Sequence, residues 1–112
     1  MKPYVIKSGD TKEPLTLQLT DFNGAIDLTN CEVNFKMSTS YFDLLLNQSA
    51  EIVDPVDGQV KYQFNSAETS EAGYFYAAFE VTFPDFRKES FPKSGYLKVQ
   101  INRSLRNEKE QD

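Results

Sequence analysis

Apolar and polar residues alternate with a period of two in segment after segment of this chain, and helical spacing is almost absent. Leu15, Leu17 and Leu19 alternate with Thr16, Gln18 and Thr20, and Val33, Phe35 and Met37 with Glu32, Asn34 and Lys36. The same phase recurs in Val60, Tyr62 and Phe64 and in Leu97, Val99 and Ile101. Each run predicts a strand with one face in a core and one toward water. The longest is Gly73–Phe83. Phe75, Ala77, Phe79, Val81 and Phe83 share one face, and Tyr74, Tyr76, Ala78, Glu80 and Thr82 share the other. A slip of one residue would turn its Phe side chains outward, so this segment predicts a central strand of fixed register.

Turn chemistry separates the runs. Asp21-Phe22-Asn23-Gly24 and Asp54-Pro55-Val56-Asp57-Gly58 supply Asx geometry and positive-φ glycines. Pro84-Asp85-Phe86 turns the long strand back into Arg87–Phe91, and Pro92–Gly95 makes the next break. Tyr41–Leu46 reads equally as a strand or a helical turn. About eight strands at short intervals suit a sandwich or a barrel, and two packed antiparallel sheets are the better solution at this length. Residues 1–102 form the expected β-sandwich domain. Residues 103–112 read as a charged C-terminal tail, frayed or a short helix.

Composition sharpens this picture. Nine Phe and six Tyr without Trp favour pleated surfaces. A net charge of −5 with no basic stripe argues against nucleic-acid binding. The longest apolar run, Leu44-Leu45-Leu46, is too short to insert across a membrane, and Met1–Tyr4 lacks the apolar core of a secretory signal. The single Cys31, in phase with Val33 and Phe35, is expected as a small buried residue and suits folding in a reducing cytosol.

The chemistry of catalysis is sparse. The chain has no His, which removes the commonest general base and most transition-metal sites. Asp54, Asp57 and Asp85 are candidates for a glycosidase-like acid pair, but each stands in a turn where Asp caps its own backbone. No catalytic, cofactor or metal residue is therefore predicted. Outward aromatics are the stronger candidates. Tyr74 and Tyr76 lie on the polar face of the long strand and Tyr96 on that of the last. Such rings suit either a partner protein or a sugar, while cross-strand packing is the structural alternative.

Several fragments, taken in order, resemble the immunoglobulin-like N-terminal domain of phage baseplate upper proteins. They are Ile6-Lys7-Ser8-Gly9-Asp10-Thr11, Asp27-Leu28-Thr29, Val33–Met37, Ala50–Asp54 into Gly58–Tyr62, and Ala72-Gly73 with Phe79–Phe83. Ser90-Phe91-Pro92 and Gly95-Tyr96-Leu97 complete the series. The resemblance implies an immunoglobulin-like antiparallel β-sandwich and a non-enzymatic structural protein of a phage virion tail or baseplate, made in the cytoplasm of a Gram-positive host. Its implied partners are other phage tail or baseplate proteins, with no nucleic acid and no membrane; a homo-oligomer is compatible with it. Two departures stand out: Phe75 where the family tends to Tyr, and Phe86 where it tends to Gly in the hairpin. An apolar ring on a loop tip makes Phe86 a fourth candidate for partner contact, beside Tyr74, Tyr76 and Tyr96. The alternative function is a carbohydrate-binding module that recognises host cell-wall glycans through the surface tyrosines.

Overall fold

The computed structural model describes residues 2–105, and their regular structure is entirely β. The strands are β1 (Tyr4–Lys7), β2 (Leu15–Gln18), β3 (Thr20–Asp21), β4 (Gly24–Ala25), β5 (Glu32–Thr39) and β6 (Leu44–Ser49). They continue with β7 (Glu51–Asp54), β8 (Gln59–Tyr62), β9 (Gly73–Thr82), β10 (Lys88–Phe91) and β11 (Leu97–Asn102). A six-stranded sheet runs β1-β11-β9-β5-β6, with β10 also beside β9, and faces a three-stranded sheet β2-β8-β7. The small β3-β4 hairpin stands apart. The ambiguous Tyr41–Leu46 segment resolves into a turn followed by β6. Of the tail expected at 103–112, residues 106–112 lie outside the described residues.

The period-two pattern places most of its apolar members inside, while Leu17, Phe75 and Phe83 pack against the core but are only partly buried. Val33, Phe35, Met37, Ala77, Phe79, Val81, Val60, Tyr62, Phe64, Leu97, Val99 and Ile101 are all buried. Phe35 ties the two layers together. Its ring stacks on Tyr62 at 4.3 Å, meets Phe64 edge-on at 5.6 Å, and lies 5.2 Å from Phe79 on its own sheet. The long strand β9 is central, with β5 along one edge and β10 and β11 sharing the other.

Three features add to or depart from the sequence reading. First, the break expected at Pro92–Gly95 is there, but it does not reverse the chain. Phe91 pairs with Phe79 and Leu97 with Ala77, so both strands follow one line along β9 while residues 92–96 loop out opposite Ala78. Pro and Gly interrupt the ladder here without turning the chain. Second, β1 pairs with β11 in parallel, Tyr4 opposite Val99 through Lys7 opposite Asn102. The chain leaves β1 for the other sheet, so no hairpin forces an antiparallel partner. Third, Cys31 is only half-buried, because it precedes β5 in a turn closed by its own N–H donating to Leu28 O at 3.0 Å.

Tyr4 anchors the β1 edge: its hydroxyl donates to the Glu13 carbonyl. Burial, then the nearby Glu13 carboxylate, pushes its pKa from 10.0 up to about 12. Burial raises Tyr62 in the same direction, with its hydroxyl donating to Glu68 Oε2 at 2.8 Å. Between these values the unfolded chain ionises Tyr4 while the folded chain holds the proton, so stability falls as pH rises. Urea midpoints measured from pH 10 to 12 should therefore fall more steeply for the wild type than for Tyr4→Phe; parallel slopes would contradict this.

Candidate functional site

The outer face of the six-stranded sheet carries the most extensive exposed aromatic surface. Its position follows from register. Lys98 of β11, Tyr76 of β9, Ser38 of β5 and Leu44 of β6 form one row across four strands, all on the face opposite Met37 and Ala77. Two irregular segments deliver further rings to this row. The looped-out residues 92–96 bring Tyr96 beside Tyr76, their ring centres 5.3 Å apart. The β5–β6 hairpin brings Phe42, stacked on Tyr76 at 5.3 Å and 25°, and 5.5 Å from Tyr96.

That hairpin is built locally. Thr39 N–H donates to Asp43 O, Phe42 N–H donates to Thr39 O, and the Thr39 hydroxyl oxygen accepts from the N–H groups of Tyr41 and Asp43. In such a three-residue loop the last position takes the left-handed conformation that favours glycine. Here it is Phe42, at φ 68°. The cost of that conformation is offset by stacking on two tyrosines, a geometry worth about 0.5–1.5 kcal/mol per ring pair. Phe42 nonetheless remains 61% exposed, and Tyr41, Leu44 and Tyr74 extend the exposed surface around it.

Of the four residues singled out from sequence, Tyr76 and Tyr96 meet. Tyr74 lies on the same face two residues away, opposite Gln100, and makes no ring contact among the described residues. Phe86 lies elsewhere, on the β9–β10 hairpin at the far end of β9, roughly 20 Å from Tyr76 at the rise of an extended strand. Phe42 escaped the sequence reading because its segment alternates weakly and its hairpin lacks the glycine that announces such a turn.

Asp54 and Asp85 behave as turn caps, whereas the Asp57 carboxylate bonds a side chain. Asp54 Oδ1 accepts from Asp57 N–H at 3.2 Å, and Asp57 Oδ2 accepts from the Gln59 amide at 2.9 Å. Asp85 accepts from Arg87 N–H and pairs with the guanidinium at 2.6 Å; these bonds hold its carboxyl below the usual range. Asp27 is lowered likewise by the Thr29 hydroxyl and N–H. Burial, then the carboxylates of Asp27 and Asp85, pushes the Cys31 thiol up, away from nucleophilic chemistry. Among the described residues, no three His, Cys, Asp or Glu side chains are grouped to hold a metal.

Known proteins place this architecture. The N-terminal domain of phage TP901-1 ORF48 is similar to it, with a TM-score of 0.69 and 12% identity over 90% of this chain and 85% of that one. CopC from Methylosinus trichosporium OB3b is similar at a TM-score of 0.53 and 10% identity, over 93% of this chain and 87% of that one. At these identities the likeness concerns the fold. No curated protein sequence matches the chain. The family model of the BppU N-terminal domain, in contrast, matches residues 3–106, and the chain therefore belongs to that family, the N-terminal domains of phage baseplate upper proteins.

Proposed function

We propose that this chain is a non-enzymatic attachment module of the phage tail, holding another tail or baseplate protein through the outer face of its six-stranded sheet. Family membership supports the structural role in the baseplate. The observation that carries the contact is the Phe42–Tyr76–Tyr96 cluster, three mutually packed rings on a face that no described element covers. Rings held by one another bind at low entropic cost, and tyrosines near the centre of an interface commonly dominate its energy. Lys36 and Glu80, paired at 3.2 Å beyond Ala78, provide a polar rim.

Binding of the purified domain to individual baseplate proteins of its own phage, measured by calorimetry, tests the assignment. Tyr76→Ala should weaken binding about tenfold or more, which corresponds to roughly 1.4 kcal/mol. Unaltered affinity in a variant whose circular dichroism is unchanged would sink the assignment. A second reading, glycan binding, is favoured by Tyr74, whose ring is 71% exposed and free of the cluster. Binding to host wall polysaccharide that Tyr74→Ala abolishes, while baseplate proteins fail to bind, would select that reading instead.

A further inference from the structure

Three places in the sequence share one chemical liability, an Asn or Asp followed by Gly or Ser: Asn23-Gly24, Asp57-Gly58 and Asn65-Ser66. There the backbone nitrogen of the second residue can close a five-membered ring on the side-chain carbonyl carbon of the first, and a small residue shields that nitrogen least. The fold treats the three differently. Asn65 is clamped, because its Oδ1 accepts from Glu68 N–H at 2.9 Å while Glu68 Oε1 accepts from Asn65 N–H at 3.0 Å. The Asp57 carboxylate accepts from the Gln59 amide at 2.9 Å. Gly58 N–H donates to Pro55 O, and Gly58 itself is pressed against the backbone of Leu19 and Ile26.

Asn23 has none of these restraints. Its side-chain amide has no hydrogen-bond partner among the described residues, and residues 22–25 are all exposed. It stands at the tip of the β3–β4 hairpin, which has two residues in each strand and pairs with no other described strand. A two-stranded ribbon is marginal by itself, so the tip opens at little cost while Ile26 N–H stays on Leu19 O beneath it. A Cβ at Gly24 would meet nothing within 4 Å, so a ring closing there meets no wall. The hairpin also imposes the glycine, since φ +114° is open to Gly and strained for any other residue. The residue the turn demands is thus the one whose nitrogen attacks most freely.

We propose that Asn23 is a site of spontaneous covalent modification, converting through a cyclic imide to aspartate and isoaspartate in the folded domain. The Gly24 nitrogen forms a bond to Asn23 Cγ, the Cγ–Nδ2 bond breaks, and ammonia leaves with the proton that the nitrogen gives up. Water then opens the ring. Cleavage of the new bond to Cγ leaves aspartate. Cleavage of the older bond to the main-chain carbonyl carbon leaves isoaspartate, in which the chain runs through the side chain. Either product adds a negative charge to a chain already at −5 and sets it near Asp21, whose Oδ1 accepts from the N–H of residue 23 at 2.7 Å. Isoaspartate also lengthens the backbone within the turn, so Asp21 and Gly24 no longer pair across it. The change stays local, because the Leu19–Ile26 bond lies below the tip.

Incubation of the full chain at neutral and mildly alkaline pH, followed by peptide mass spectrometry with fragment ions that separate the three positions, tests it. Asn23 should gain the mass difference between an amide and an acid, faster at the higher pH because the attacking nitrogen must lose its proton. Asn65 and Asp57 should stay intact over the same period. Unfolding in urea should accelerate conversion at Asn65 and Asp57 by about tenfold or more, the factor that corresponds to roughly 1.4 kcal/mol of local opening, and leave the rate at Asn23 nearly unchanged. Gly24→Ala should slow the reaction at Asn23 several-fold in folded and unfolded chain alike, since the added methyl shields the nitrogen in both. An Asn23 that the folded chain protects about tenfold or more relative to urea, or folded-state conversion at Asn65 or Asp57 as fast as at Asn23, would overturn the proposal. Neither outcome bears on binding through Tyr76.

Discussion

Replacing Phe35 with alanine is expected to cost about 3–5 kcal/mol of unfolding free energy, the range for deleting a fully buried aromatic ring. Phe35 has no exposed surface, and it is the ring through which the two sheets touch. Its loss removes the 4.3 Å stack with Tyr62, the edge contact with Phe64 and the packing on Phe79 together. Relaxation can fill little of the void, because Tyr62 is held by its bond to Glu68 and Phe79 by ladders on both edges of β9. Domains of this size have about 5–15 kcal/mol in total, so the variant should sit near the edge of folding at 37 °C. The urea midpoint should fall with little change in slope. A loss below about 1 kcal/mol, the scale of an average substitution, would mean that the sheets do not rely on this ring.

Gly58→Ala should be nearly as damaging, for a different reason. Gly58 has φ +68°, which a side chain opposes by about 1–2 kcal/mol. In addition, a Cβ there would stand 2.8 Å from the carbonyl oxygens of both Leu19 and Ile26. The Leu19 oxygen cannot swing aside. Leu19 O accepts from Ile26 N–H at 2.9 Å, and Leu19 N–H donates to Gly58 O at 2.8 Å. The turn must move away from the base of the β3–β4 hairpin, breaking bonds that bury Leu19. A total of about 2–4 kcal/mol follows, read as a fall in melting temperature of roughly 10 °C or more. Gly24→Ala is the control. Gly24 also has positive φ, +114°, but a Cβ there meets nothing within 4 Å, so only backbone strain remains. Equal losses at the two glycines would refute the close-approach argument.

Much of the fold was legible because β9 and its neighbours bury one face against the core. Alternation in Val33–Met37, Gly73–Phe83 and Leu97–Ile101 carries the register directly, and the buried residues are those the period selects. Features set by non-local pairing were not legible. Nothing in Pro92–Gly95 says that the chain loops out and resumes its line, since the same residues equally announce a reversal. The parallel partner of β1 is decided by a strand more than 90 residues later in the chain. The aromatic cluster was half visible. Tyr76 follows from strand phase; Tyr96, expected on the last strand, instead ends the loop before it, and Phe42 arrives through a hairpin whose residue type conceals its geometry.

The parallel pairing of β1 with β11 also bears on how this domain comes into being. Among the described residues, Tyr4–Lys7 finds its only strand partner in Leu97–Asn102, so the first strand of this fold must wait for its last. On the ribosome, Val5 and Ile6 emerge early and stay unpaired until synthesis of the sheet is complete, whatever hairpins have already closed in between. Contacts spanning nearly the full chain raise the entropy lost before the final strand docks, which slows acquisition of the native state. A nascent chain paused before β11 would therefore expose an open edge on β9 together with an unpartnered N-terminal strand, the state in which this domain is most vulnerable to aggregation and proteolysis.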